Sequence, residues 1–267
     1  MAQSRFPGEE ADIEAKADQQ YSEFWKTTPD IGGKDNMQFK DLDFLIAFFS
    51  FYEACDHRIG IPELDEFAYE VIIKSSEKAG KLIGWNSPIM PKMALKMYSR
   101  YKKKIDEHVA KGEWGNTWRI EMNPEGHTEG FAIHTKMCPN WDFCKAHGYE
   151  DFMPAICAQD HKIAEAMHGV LIRTHTVAAG DDYCDWWYFG DRQELPEEAA
   201  RRLKGKNKRY GCKNNHRRNI SRRSVGPFLR CRHPKRCCQY GVPVSSGCSG
   251  QVREKRADNA GEDRKEQ

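Results

Sequence analysis

The sequence predicts an α+β domain: N-terminal helices followed by an antiparallel sheet of two hairpins, with helices inserted between them. Three observations lead there. Apolar residues recur at helical spacing from Phe39 to about residue 110, and the pattern then changes to alternation in "TWRIEM" and "GFAIHTKMC". Turn-rich stretches, "NPEGHTE" and "AGDD", stand between alternating segments. The charge also shifts abruptly: residues 1–200 hold 22 Lys/Arg against 35 Asp/Glu, whereas residues 201–236 hold 15 Lys/Arg and no acid. The chain thus divides into an N-terminal arm (1–36), an α+β domain (37–195) and a basic tail (196–267).

The arm is polar, ends in "PDIGGKDN" and reads as mobile. In the domain, Phe44, Phe48 and Tyr52, then Phe67, Val71 and Ile72, mark two helices, with Pro62 placed to open the second. A further helix runs from about Pro91 to Ala110, with Met93, Met97, Tyr101, Ile105 and Val109 on one stripe. The first hairpin follows. A regular second strand puts Ala132, His134, Lys136 and Cys138 on one face. "PNWDFCKAHGYEDF" is a short helix with a glycine stop, and Pro154 opens another that ends at Gly169. Strands at about 170–178 and 183–189 make the second hairpin.

Charged residues make up 31% of the chain, and no apolar run reaches the ~20 residues a bilayer requires. The N-terminus lacks the basic-then-apolar layout of a secretory signal. A cytoplasmic location and no membrane partner are therefore expected, with the cysteines as thiols rather than disulfides.

The helix beginning "PAICAQDHKIA" raises a chemical question. Its inward face, Ile156, Cys157, Ile163, Ala164 and Met167, also carries Asp160. A carboxylate there needs a partner or a role, because desolvation penalises its charge. Around it in sequence lie His134, Cys138, Cys184, Asp185, Arg173 and His175. Arg173 suits bidentate capture of a substrate carboxylate, or else a salt bridge to Asp160. Cys184 and Asp185 are neighbours in a strand and face opposite ways unless a bulge intervenes. His161, Glu165 and His168 have a spacing that could hold a divalent metal, but it describes an exposed helix flank equally well, and the flank is preferred. Dinucleotide, P-loop, serine-hydrolase and zincin motifs do not occur.

The order of these residues resembles a known family. "CPNW" at 138, "CAQD" at 157, "RTHTVAAG" at 173 and "CDW" at 184 look like the L-2-amino-thiazoline-4-carboxylic acid hydrolase family, and "GNTWRIEM" is similar to the strand entry before its first cysteine. The resemblance covers roughly residues 40 to 192. It implies hydrolytic opening of a small cyclic amidine bearing a carboxylate, a non-peptide C–N hydrolase chemistry that gives a carbamoyl-cysteine. It also implies Cys138, Cys157, Asp160, Arg173, Thr176, Gly180, Cys184 and Asp185 as site positions. His175 and the double "WW" depart from the family pattern.

The resulting expectation is a catalytic set of Asp160, Cys157, Cys184, Cys138 and Asp185, with Arg173, His175, Thr176, Gly180 and His134 binding a small-molecule substrate. Attack at the C=N carbon comes from water assisted by Asp160, from a thiolate, or from water on a divalent metal. The alternative is a pocket that holds a small ligand or metal without turning it over, as a sensor. The tail cannot bury a core and is expected to be disordered. It would bind nucleic acid only if its basic runs are a genuine functional element.

Overall fold

A computed structural model describes residues 5–209. The expected α+β architecture is present, helices first and a four-stranded antiparallel sheet after them. No described helix is long and apolar enough to cross a membrane.

The first correction concerns the N-terminus. Helix α1 (Glu10–Thr27) occupies half of the segment read as a mobile arm. Ile13, Ala17, Tyr21 and Phe24 recur every three or four residues, and this narrow stripe packs into the core. Trp25 stacks on Phe39 at 5.1 Å between ring centroids. Acids in the first turn and Lys26 in the last suit the helix dipole.

Helix α2 (Phe39–Ala54) is the central core element, with Leu42, Leu45, Ile46 and Phe49 fully buried. Helix α3 (Ile61–Ala68) opens with Pro62, and Glu63 accepts the Gly60 N–H at 2.8 Å. A π turn at Tyr69–Ile73 joins it to α4 (Lys74–Gly80). Helix α5 (Met90–Ala110) buries Tyr101 and Ile105 and packs Val109 against the core but leaves Met93 and Met97 exposed, so only the C-terminal part of its expected stripe meets the core.

The strands β1 (Ile120–Met122), β2 (Phe131–Thr135), β3 (Gly169–Ile172) and β4 (Cys184–Gly190) lie in the order β1-β2-β4-β3. Helices α6 (Pro139–His147) and α7 (Met153–Ala166) are the expected insertion. The two hairpins join through β2 and β4, which pair Thr135 with Cys184 and His134 with Asp185. Alternation then sorts the side chains. Ile133, Thr135, Cys184, Trp186 and Tyr188 point to the helical side. Ala132, His134, Asp185, Trp187 and Phe189 point to the rear.

Strand β3 stops at Ile172, short of the expected 178. The Asp185 carboxylate takes the N–H groups of Thr174 and His175, at 2.8 and 2.6 Å, and so holds that stretch as a loop. A second correction concerns the tail. Residues Glu197–Arg209 form helix α8, and Ala199 is buried against Ala132, Ile172, Trp187 and Phe189 on the rear of the sheet. The basic stretch 210–267, including the expectation of disorder there, lies outside the described residues.

Candidate functional site

Asp160 sits on α7 facing the sheet, and its partner is Arg173, the first residue beyond β3. Arg173 NH1 donates to Asp160 Oδ2 at 2.6 Å, NH2 donates to the carbonyl of Cys157, and the guanidinium lies 4.8 Å from the centre of the Trp186 ring. The Arg173 side chain is 4% exposed and that of Asp160 is 28%. Of the two roles expected for Arg173, the salt bridge is the one formed. The charge it gives the pocket is already shared with a protein carboxylate.

Two thiols, Cys157 and Cys184, flank this pair, and a third, Cys138, neighbours those two. Cys157 is one helical turn before Asp160 and interacts electrostatically with Asp160, Arg173 and Cys184. Cys184 begins β4 and accepts the N–H of Val177 at 3.3 Å. Cys138 stands at the N-cap of α6 and interacts electrostatically with both other thiols. Burial is the main influence on each. It holds Cys138 well above its ordinary value, pushes Cys157 up to about 12 and raises Cys184. For Cys157 and Cys184, Arg173 pulls the other way without prevailing.

The structure brings in groups that sequence reasoning missed. Asp41, in the first turn of α2, interacts with Asp160, and Tyr98 and Tyr188 interact with both acids. Crowding by protein atoms first, then the Asp160 charge, raises the Asp41 carboxyl above its ordinary range, while the residue itself is exposed at the surface. The indole N–H of Trp186 and Oε1 of Gln38 are buried without a hydrogen-bond partner among the described residues. Buried polar atoms left open in this way are uncommon in a sealed core.

The remaining expected residues lie elsewhere. His134 was to share a face with Cys138, but β2 ends at Thr135, so only Cys138 turns toward the thiols. His134 points to the rear, where Nε2 meets Glu125 at 2.9 Å and the ring stacks on Tyr183. Asp185 is also rear-facing. Besides the two backbone N–H groups it accepts the Thr174 hydroxyl at 2.7 Å, so its oxygens hold the loop rather than reach the thiols. His175, half-buried on that loop, was expected on a strand face with Arg173; no ladder is present there to enforce this. Thr176 and Gly180 shape the turn that covers Cys184: the Thr176 N–H donates to Asp181 at 2.8 Å, and Gly180 has φ +92°. His168 lies on the surface, 3.8 Å from Asp191. Among the described residues no group of three His, Cys, Asp or Glu side chains is placed to hold a metal ion.

The family model described as L-2-amino-thiazoline-4-carboxylic acid hydrolase matches residues 40–188, which include Cys138, Cys157, Asp160, Arg173, Cys184 and Trp186. Neither the curated proteins nor the solved structures returned a match.

Proposed function

The chain belongs to the L-2-amino-thiazoline-4-carboxylic acid hydrolase family, and from that premise we propose that it opens a small, carboxylate-bearing cyclic amidine by adding water to the C=N carbon. The observation that carries this reading is the Asp160–Arg173 ion pair beside Cys157 and Cys184, with Cys138 next to those thiols, inside the matched segment. An ion-paired carboxylate beside a recess can accept a proton from water as the water oxygen bonds to carbon.

The thiols support water over a thiolate as the attacking group. A cysteine attacks as its anion, and burial keeps all three in the neutral form near pH 7. Their part in this reading is to give a soft, weakly polar wall that accommodates a ring sulfur. Arg173 supplies the positive field for the substrate carboxylate while still bonded to Asp160, and the Trp186 ring gives a flat face for the heterocycle.

The test uses the full chain, because α8 packs against the sheet. It is incubated with L-2-amino-thiazoline-4-carboxylate and followed by mass spectrometry for a product heavier by one water. Asp160→Asn, checked by circular dichroism for an unchanged fold, is expected to lower turnover on the order of 10²–10⁴-fold. Binding of the compound without product from it or from a panel of cyclic amidines would favour the ligand-binding alternative. Full activity in Asp160→Asn would remove Asp160 from the mechanism.

A further inference from the structure

We propose that the groove between α5 and the turn before α2 is a docking site for an acidic amphipathic helix of a partner protein. Lys34, Met37, Met93, Lys96, Met97 and Arg100 line it, and its volume is about 510 Å³. The stripe of α5 that meets the core through Tyr101, Ile105 and Val109 runs on through Met97 and Met93, past the edge of the core. Met37 lines the other bank, and the three thioether side chains belong to residues between 40 and 48% exposed. A small molecule is usually enclosed over most of its surface. Apolar side chains lying this open in one groove suit a macromolecular surface instead.

Charge selects the occupant. Residues 78–104 hold eight Lys/Arg and no acid, in a body that is otherwise acidic. Lys102 and Lys103 pair with Asp106 and Glu107 one turn on. Lys34, Lys96 and Arg100, which rim the groove, are in no ion pair among the described residues, and Asp35 is the one acid that lines it. Such a rim around an apolar floor is complementary to a helix whose apolar stripe is flanked by acids. The same groove on a second copy would set these cations against themselves, and the basic residues 201–236 carry the same sign.

Shape agrees with charge. Met93, Lys96, Met97, Arg100 and Lys104 follow one another at intervals that place them on one flank of α5. From Met93 to Lys104 that flank runs about 17 Å at ~1.5 Å per residue, roughly three turns for a second helix to lie along. The Tyr101 hydroxyl donates to Asn36 Oδ1 at 2.5 Å, and Lys104 Nζ donates to the Asp35 carbonyl at 2.8 Å. Both bonds tie α5 to the opposite bank. The groove therefore exists before anything enters it, which lowers the ordering cost of binding. Methionine adapts to apolar groups of many shapes, as a groove that receives a helix requires.

The experiment titrates the full chain into a labelled synthetic helix of about 18 residues, with Leu at i, i+3, i+4 and i+7 and Glu on both flanks, at ~0.15 M salt. A scrambled peptide of the same composition is the control, because the basic residues 201–236 attract any acidic peptide whatever its pattern. The expected result is at least ~tenfold tighter binding of the amphipathic peptide. That preference should be lost in Lys96→Glu/Arg100→Glu and in Met93→Ser/Met97→Ser. Equal binding of the two peptides, or a preference that survives either double variant, overturns the assignment. So does binding to phosphatidylglycerol vesicles that these substitutions abolish while the peptides show no preference, since the groove then takes a lipid surface. Should a variant not fold by circular dichroism, hydrogen exchange of the parent decides. Protection of α5 by the amphipathic peptide and not by the scrambled one supports the docking site, and its absence overturns it.

Discussion

Trp186 and Trp187 are adjacent on one strand and live in different chemical worlds. Trp187 faces the rear, is 4% exposed, donates its indole N–H to the Glu129 carbonyl at 2.8 Å and stacks on His127 at 3.6 Å. Trp186 faces the helices, and its indole N–H is buried with no partner among the described residues. The contrast extends to the neighbours. On the rear, Asp185, Glu125, His134 and Arg202 bond to one another or to backbone, around a cavity of about 10 Å³. That volume holds at most a single water. On the other face, Arg173 bonds Asp160 beside Cys157, Cys184 and the Trp186 ring. Polar groups on the rear are satisfied, which is how a structural face looks. At the front, the Trp186 indole N–H retains unmet hydrogen-bonding capacity among the described residues.

The largest test of this contrast is Arg173→Ala. It removes the cation beside Asp160, the donor to the Cys157 carbonyl and the contact with Trp186. Breaking a buried ion pair on one side costs about 3 kcal/mol, read as a lower urea midpoint, and ring opening should be abolished. Asp185→Ala comes next. Three hydrogen bonds to Thr174 and His175 are lost, at a cost of about 2 kcal/mol. Turnover should fall as well, because that loop covers Cys184. Asp185→Asn, which keeps an acceptor oxygen, should recover most of the stability.

Arg202→Ala separates the faces more cleanly. Arg202 pairs with Glu125 and Glu198 and ties α8 to the hairpin. Its loss should cost about 1 kcal/mol and leave kcat unchanged within twofold. The pH dependence carries a sign. The bond to Arg202 is the main reason that the Glu125 carboxyl is lowered to about 2. A carboxyl lowered by folding adds stability above its ordinary range and loses that contribution as pH falls through 2. Urea midpoints at pH 7 and pH 3 should therefore converge between parent and variant on the acid side. Smallest is the tryptophan pair. Trp187→Phe strands the Glu129 carbonyl and should cost about 1 kcal/mol in chemical denaturation, with KM unchanged. Trp186→Phe should leave stability nearly unaltered and raise KM. Equal effects of the two on KM would break the distinction between the faces.

Much of this architecture is legible in the sequence, since it depends on local period. The change from helical spacing to alternation places the helices, the strands and the insertion. Asp160 stands out because apolar neighbours at three and four residues leave it facing inward, and Arg173 is one of the partners that reading names. The arm is less legible: four apolar residues of α1 are diluted among charged ones, so composition hides a stripe that period alone exposes. Spacing can also mislead: Asp41 has the same signature as Asp160, with Phe44, Leu45 and Phe48 following at three, four and seven residues, yet it lies exposed in the first turn of α2, where the helix dipole favours an acid.

What the sequence by itself determined is the kind and order of the elements, the inward acid on α7, and the opposed directions of Cys184 and Asp185 along one strand. What only the tertiary structure decided is which of those two directions meets the thiols and the acids. It also decided that His134 and Asp185 serve the rear, and that α8 covers them. The physical reason lies in register. A strand presents alternate residues to opposite faces, and a shift of one residue exchanges every side chain between them. The pairing of β2 with β4 sets that register across about fifty residues of intervening chain, a distance over which spacing in the sequence carries no information about the face.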